Sequence, residues 1–425
     1  MLNKTFQMTA QTMFGLDEIL FQEIKDLGAK NVQLNNRAVS FEGDLRMMYK
    51  ANLCLRTALR VLVPIAEFEV KDEHDLYDKI KNIDWEKYLS IEETLAINCT
   101  LSTNIFTHSR YIEQKTKDAI VDKFREKYDK RPSVDIMNPD LRIQVYIKNN
   151  VCMVMLNSSG DPLYKRGYRD KTNLAPMNEV LAAGLIMLSK WDKKSDFVDP
   201  MCGSATLSIE AALMAANIPA GSFRPLFGFE KWSNFDADLW EEVFDEEMEK
   251  VNTENMPYIL AGEISKNVAR KAAANIAEAN LKKYIHLKDI AFQDLMPPPI
   301  EEKEETIKTE EEKQEEEKEQ GKSWFKRRKA DKGVIIINPP YGERMDKDED
   351  INAFYAEIGD TLKQNWAGYT AWIITSNMDA AKHIGLSSKP KLKMFNGSLE
   401  CRFMRFEIYE GSVKNDKREF YKDKK

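Results

Sequence analysis

The chain has no apolar run approaching the roughly 20 residues that a membrane-spanning helix needs. Its first ten residues, Met1 to Ala10, lack the apolar core of a signal peptide. Cysteine and histidine are scarce in a chain of 425 residues: Cys54, Cys99, Cys152, Cys202 and Cys401, with His74, His108, His286 and His383. All stand singly, with no C-x-x-C pair and no Cys-His cluster. Neither a zinc site nor a disulfide framework is expected, and a reducing cytoplasmic compartment is. The phosphate-cradling patterns G-x-x-x-x-G-K-[ST] and G-x-G-x-x-G are also missing, which counts against a site built for nucleotide phosphates. We expect no metal and no membrane partner.

Charge of one sign is missing as well, despite a formal net charge of −7. Residues 301–319 hold eleven Glu and four Lys, which account for all of it. The rest of the chain is neutral, so nucleic-acid binding would have to use local basic patches. Two exist: Lys322 to Lys332, with six cations against Asp331, and the Lys-rich tail Lys414 to Lys425. An apolar content of 43% is ordinary for a globular chain, and the length allows two or three domains.

The spacing of apolar residues predicts a strand at Phe6–Ala10, a helix over Gly15–Leu27, a strand at Ala38–Phe41 and a long helix over Leu45–Leu62 that Pro64 ends. From about Ile65 to Ser158 it predicts a strand at Leu95–Leu101 and a basic helix that Ser109 caps. Two alternating strands follow, Leu141–Ile147 and Val151–Leu156, joined by Asn149-Asn150. Beyond Leu163 strands and helices alternate: Phe197-Val198 and the helix after Ser204, Tyr258–Ala261 and the helix Lys266–Asn280, then Ile285–Leu287, Val334–Ile337 and Thr370–Thr375. Strands as continuously apolar as Val334–Ile337 lie buried on both faces of a parallel sheet, the doubly wound α/β pattern. Lys391–Phe395 and Ser398–Tyr409 flank Asn396-Gly397, so an antiparallel pair should finish the sheet. Residues 298–333 interrupt this domain with a Glu/Lys-rich insertion too poor in apolar residues for a core, expected to be disordered.

Four motifs carry candidate chemistry. Asp199-Pro200-Met201-Cys202-Gly203-Ser204-Ala205-Thr206 follows a strand end and opens a helix. In a doubly wound sheet ligands bind beyond the carboxyl ends of strands, small residues let the backbone approach, and a helix N-terminus attracts a carboxylate such as that of S-adenosylmethionine. The residues alone fit an ordinary N-capped turn equally well. Glu263, after the next strand, could accept both ribose hydroxyls, and Asp289, with Asp294 as a competitor, could accept from an adenine amine; singly, each also reads as a surface acid. The sharpest motif is Asn338-Pro339-Pro340-Tyr341, directly after the most apolar strand. An exocyclic base amine is a poor nucleophile because its lone pair is delocalised into the ring. The Asn338 side chain and carbonyls of the stiffened Pro339-Pro340 turn can accept its protons and localise that lone pair, and Tyr341 can stack on a flipped base. Two aromatic-basic stretches could touch RNA: Lys165, Arg166 and Arg169 within Tyr164–Arg169, and Thr107 and Arg110 within Thr107–Tyr111. Exposed linker and solvated helix start are the bland alternatives.

On these residues the whole chain resembles the THUMP-domain RNA methyltransferases, most closely the short bacterial relatives of the 23S ribosomal RNA guanine-N2 methyltransferase. Gly15-Leu16 with Glu23, and Leu53 to Val61, resemble the ferredoxin-like N-terminal unit. Thr107-His108-Ser109 resembles the THUMP domain, and Lys165 to Arg169 with Ala175-Pro176-Met177-Asn178-Glu179 the linker. The Asp199 and Asn338 motifs are similar to the cofactor and target-base motifs, and Asn396-Gly397 with Cys401-Arg402 to the closing hairpin. The resemblance implies a ferredoxin-like unit over 1–64, a THUMP RNA-binding domain over 65–160 and a Rossmann-like methyltransferase domain over 161–425. It implies S-adenosylmethionine as methyl donor, held by Asp199, Cys202, Gly203, Ser204, Glu263 and Asp289. It also implies N2-methylation of a guanine in 23S ribosomal RNA; a transfer RNA guanine, or an adenine amine in RNA or DNA, is the alternative. Ala205 departs from the family, which has Gly there, and so does the Glu/Lys-rich insertion.

Overall fold

A computed structural model of the chain describes residues 5–169, 177–298, 332–341 and 350–409. All but the edges of the insertion at 298–333, together with Gly342, Glu343, Arg344, Ala175-Pro176 and the Lys-rich tail, lie outside the described residues. The chain divides into two compact units: residues 1–170, 178–184 and 216–252 in one, and residues 171–177, 185–215 and 253–425 in the other.

In the first unit, β1 (Phe6–Thr12), α1 (Asp17–Asp26), β2 (Lys30–Asn35), β3 (Ala38–Gly43), α2 (Leu45–Cys54) and β4 (Ala58–Glu69) are followed by α3 (Glu73–Asn82), β5 (Thr94–Ser102), α4 (Ser109–Tyr128), β6 (Ser133–Val134), β7 (Leu141–Lys148) and β8 (Val151–Asn157). One eight-stranded sheet results, in the order β2-β3-β1-β4-β8-β7-β5-β6. The long helix expected over Leu45–Leu62 stops at Cys54. The cause is tertiary. The Glu23 carboxylate of α1 accepts from the backbone N–H groups of Arg56 (2.8 Å) and Thr57 (3.0 Å) and from the Thr57 hydroxyl, pulling those amides out of the helical ladder. The apolar residues from Ala58 onward then run as β4, paired on one edge with β1 and on the other with β8. Pro64 ends nothing. It lies inside this strand at a register shift facing β8, the place where a sheet tolerates a missing N–H. The β7–β8 hairpin forms across Asn149-Asn150, with Asn149 at φ 53°. His108, not Ser109, takes the N-cap position of α4, and its side chain makes no capping bond.

The second unit is built on β9 (Asp196–Asp199), β10 (Ile259–Gly262), β11 (Ile285–Lys288), β12 (Gly333–Ile337), β13 (Tyr369–Thr375), β14 (Ser388–Asn396) and β15 (Leu399–Glu407), in the order β11-β10-β9-β12-β13-β15-β14. The first five are parallel and the last two join antiparallel. Val334 to Ile337 and all of β13 are buried, as a sheet covered on both faces requires. Helices α5 (Glu179–Ser189), α6 (Thr206–Ala215), α7 (Ala237–Met248), α8 (Lys266–Glu278) and α9 (Ile351–Asn365) intervene along the chain. The closing hairpin turns on Gly397-Ser398, because Asn396 pairs with Leu399.

Residues 216–252, in sequence the middle of the expected catalytic domain, cluster with the first unit instead. Phe227, Phe229 and Val243 share a core with Met8, Ala10, Phe41 and Tyr49. Tyr49 stacks on Phe229 with ring centroids 4.5 Å apart, and its hydroxyl accepts from the Asp236 amide (3.0 Å) at the N-cap of α7. Replacing Tyr49 with Phe should therefore cost about 1–2 kcal/mol by leaving that amide without its partner. Denaturant unfolding of the full chain measures this, and an unchanged midpoint would argue against the placement of 216–252.

Candidate active site

Register places the candidate residues of the second unit on one edge of its sheet. Val198 lies opposite both Leu260 and Ile335, and Gly262 opposite Lys288, so Asp199, Glu263, Asp289 and Asn338 all emerge at carboxyl ends of parallel strands. This is the edge at which such sheets bind ligands.

The Asp199 turn is tightly made. The Cys202 amide donates to the Gly262 carbonyl (2.8 Å), the Gly203 amide to Glu263 Oε2 (3.1 Å), and Asn275 Nδ2 to the Ser204 carbonyl (3.1 Å). Ser204 Oγ lies 3.2 Å from Thr206 Oγ1. The other oxygen of Glu263 accepts from the Ser265 amide (2.8 Å), and the Glu263 amide donates to the Lys288 carbonyl (3.0 Å), so the acid is fixed in place. Burial pushes the Glu263 carboxyl upward, and the nearby charge of Asp289 adds to it. Asp289 itself is exposed. Cys202 is buried, and burial raises its thiol well above the ordinary range, which makes it a packing residue rather than a nucleophile.

Asp199 is fully buried. One carboxylate oxygen accepts from Ser208 Oγ (2.8 Å); the other has no hydrogen-bond partner. Burial pushes this carboxyl up to about 7, against the Ser208 bonds that lower it and with a smaller upward contribution from Glu263. An unpaired buried carboxylate oxygen wants a donor. A Cβ built on Gly203, whose φ is +55°, would meet nothing within 4 Å, so the turn is open on that side. An orphaned acceptor, an open glycine turn and the N-terminus of α6 suit the zwitterionic methionine end of S-adenosylmethionine.

Two residues missed in the sequence complete the pattern. Ile264 is 71% exposed and Ile290 36% exposed, each immediately after one of the two acids. An apolar side chain following each strand-end acid is the signal that would have found them: such a pair suits the faces of an adenine ring whose ribose and amine the two acids would accept from.

Ala205 is fully buried with φ +65°. The left-handed region costs a residue with a Cβ about 1–2 kcal/mol, part of which a glycine returns as chain entropy. Ala205→Gly should raise stability by roughly 1 kcal/mol or less, read as a higher thermal midpoint. A lower midpoint would mean that packing of the Ala205 methyl outweighs the strain.

At the end of β12, Asn338 and Tyr341 are held by three elements. The Tyr341 hydroxyl donates to Asn338 Oδ1 (2.7 Å), Asn396 Nδ2 donates to the Tyr341 hydroxyl oxygen (3.1 Å), and Asn377 Nδ2 donates to the Tyr341 carbonyl (3.2 Å). Tyr355, in α9, donates to the Pro340 carbonyl (3.3 Å) and shares a hydrogen bond with Thr375 (2.7 Å). Burial raises the Tyr341 phenol far above its usual range, so it stays a protonated donor. Pro339 is buried, and Asn338, Pro340 and Tyr341 are partly accessible.

The expected RNA contacts divide. Thr107, Arg110 and Lys165 are exposed. Arg166 is a correction: it is 2% exposed, and its guanidinium donates to the carbonyls of Leu163 (2.9 Å) and Arg56 (2.5 Å). Arg169 is another, its side chain only 8% exposed and ion-paired with Glu179, 5% exposed. Both cations are spent on the protein's own acceptors, a use that a run of basic and aromatic residues does not distinguish from phosphate contact. Among the described residues no helix is long and apolar enough to cross a membrane, and no group of three or more His, Cys, Asp or Glu could hold a metal ion.

Comparison with known proteins identifies the domains. The model of an RMKL-like methyltransferase domain matches residues 166–310 and 303–405, a THUMP domain matches 70–157, and an RlmL ferredoxin-like domain matches 7–62. A protein of Synechocystis named "Putative RNA methyltransferase" is 35% identical over 395 residues, 93% of this chain and 95% of its own. The ribosomal RNA large subunit methyltransferase K/L of Syntrophotalea carbinolica is 34% identical over 93% of this chain, but the match spans 53% of that longer protein. A solved structure described as "a putative methyltransferase complexed with SAH" superposes with a TM-score of 0.79 at 28% identity, covering 96% of this chain and 100% of its own. A "predicted N6-adenine-specific DNA methylase" from Listeria monocytogenes superposes with a TM-score of 0.77 at 27% identity over 96% of this chain and 97% of its own.

Proposed function

Because the chain belongs to the RMKL-like methyltransferase family, with a ferredoxin-like and a THUMP domain ahead of the catalytic one, we propose that it methylates the exocyclic N2 amine of a guanine in 23S ribosomal RNA. The observation that carries the chemistry is Asn338, oriented by Tyr341 at the strand edge that also holds Asp199 and Glu263. The THUMP domain and the relatives named for ribosomal RNA of the large subunit support the substrate.

S-adenosylmethionine, when bound, supplies an electrophilic methyl group. The rest is the work of this chain's own side chains. Asp199 and the first turn of α6 bind the amino-acid end, Glu263 accepts the ribose hydroxyls, Asp289 accepts from the adenine amine, and Ile264 and Ile290 keep water from the ring. Asn338 Oδ1 and the Pro339 carbonyl accept the protons of the target amine. Held that way, the nitrogen pyramidalises and its lone pair points away from the acceptors, toward the methyl donor; acceptors fixed before the reaction lower the barrier with no reorganisation. The ring of Tyr341 is the candidate platform for an extruded base. Thr107, Arg110 and Lys165 remain the candidate RNA contacts of the first unit.

The test is methyl transfer from labelled S-adenosylmethionine to unmodified ribosomal RNA, followed by nucleoside mass spectrometry. N2-methylguanosine in 23S RNA is the expected product. A methylated adenosine would move the substrate to the base for which the Listeria protein is named. N2-methylguanosine in transfer RNA alone would change the RNA but not the chemistry, and no product on either would overturn the proposal.

A further inference from the structure

We propose that Asn396, at the tip of the closing hairpin, is a positioning residue that fixes the orientation of the Asn338 carboxamide through the Tyr341 hydroxyl. The inference rests on the reading of Asn338 as the acceptor for the target amine. A carboxamide is nearly symmetric in shape but not in chemistry: one end accepts, the other only donates. If it turned over, the target amine would meet a donor and the lone pair would not be localised.

Tyr341 decides which end is which, because the Asn338 oxygen is the strongest acceptor its proton meets. Asn396 Nδ2 donates to the phenol oxygen (3.1 Å) and fills an acceptor position there, while the phenol proton points to Asn338 Oδ1 (2.7 Å). Turning Asn338 over would aim a second N–H at the oxygen already accepting from Asn396 and would leave the phenol proton only the weak sulfur acceptor of Cys401 in a largely desolvated position. The hairpin supplies the rigidity. Asn396 is the last residue of β14 and pairs with Leu399 across a two-residue turn, and β15 continues into the sheet against β13. Cys401 of β15 also hydrogen-bonds this hydroxyl, but its thiol is raised by burial and stays neutral, so its sulfur competes only weakly with the Asn338 oxygen. Asn377 holds the Tyr341 backbone carbonyl, so the residue is held at its backbone as well as at its hydroxyl. The relay runs Asn396 to Tyr341 to Asn338, from the end of a strand to the atom proposed to meet the substrate.

The experiment uses the full chain. In a sample labelled with nitrogen-15 asparagine, the side-chain amide signal of Asn338 is assigned by its loss in Asn338→Ala. It should move in Tyr341→Phe, which removes only the hydroxyl, and move the same way in Asn396→Asp, which keeps the size of the side chain and removes the donor. The double variant should move it no further. Both single variants should lower kcat about tenfold with KM for RNA unchanged, and the double variant should be no worse than Tyr341→Phe, because all act through one hydroxyl. An unmoved Asn338 signal in Asn396→Asp, or kcat losses that multiply, would overturn the relay. If the signals move as expected but the unmodified chain methylates no RNA, the relay stands and the substrate assignment fails.

Discussion

Asn338→Ala is expected to lower the single-turnover rate of methyl transfer by at least about 10²–10³-fold, the usual consequence of removing one preorganised polar partner of the reacting group. The affinity for S-adenosylmethionine should stay at its original value. The two effects separate because the residues are separate. Asn338 follows β12, whereas the turn, the acid and the helix start of the proposed cofactor site follow β9 and β10. Truncation at Asn338 also leaves the backbone of the Pro339-Pro340 turn in place, since Tyr355 holds the Pro340 carbonyl and Asn377 the Tyr341 carbonyl. Calorimetry with the cofactor and a single-turnover assay read the two quantities independently. Methylation at the original rate by Asn338→Ala would remove the amine-acceptor role altogether. A parallel loss of cofactor affinity would instead mean that the strand edge acts as one connected site.

The candidate site residues were legible in the sequence because the chemistry proposed for them is local. Asn-Pro-Pro-Tyr after a buried strand, and a small-residue turn between a strand and a helix, specify backbone and side chain within a few positions. Long-range contacts were not legible. The helix predicted over Leu45–Leu62 obeys helical spacing, yet Glu23, distant in sequence, captures the amides of Arg56 and Thr57 and converts its second half into β4. The aromatic residues of 216–252 look like any amphipathic insertion until they are seen in the core of the first unit. Arg166 and Arg169 carry the composition of an RNA contact and the burial of structural clamps. For the same reason the sequence suggested only that Tyr341 stacks on a base. That its hydroxyl orients Asn338 depends on a hairpin residue 55 positions later. Ile264 and Ile290 are the exception, each legible as an apolar residue directly after a strand-end acid.

Asp199 should make both stability and cofactor binding depend on pH across neutrality, in opposite senses. Its carboxyl titrates near 7 in the folded chain, above the value near 4 of an unfolded chain, and burial is the main cause. A carboxyl raised by folding favours the folded state when protonated. Its contribution is fully present below about pH 4 and is lost as the pH climbs through about 7, on the order of 4 kcal/mol for a shift of roughly three units. Glu263, also raised by burial, changes stability in the same direction. The cofactor-free chain should therefore have a higher thermal midpoint at pH 5.5 than at pH 8. Binding should run the other way. The ionised oxygen that lacks a partner is the one suited to the cofactor's ammonium group, so affinity should rise with pH toward neutrality, by up to about tenfold per unit below pH 7. Asp199→Asn tests both. Its carbonyl can keep the Ser208 bond, while its amide places a neutral donor where the carboxylate oxygen stood. The midpoint should lose most of its fall between pH 5.5 and 8, and cofactor affinity should drop about 10–100-fold at pH 8, with its pH dependence gone. A variant that binds the cofactor as tightly as the original chain at pH 8 would show that the orphaned oxygen of Asp199 is a cost of the fold and no part of the binding site.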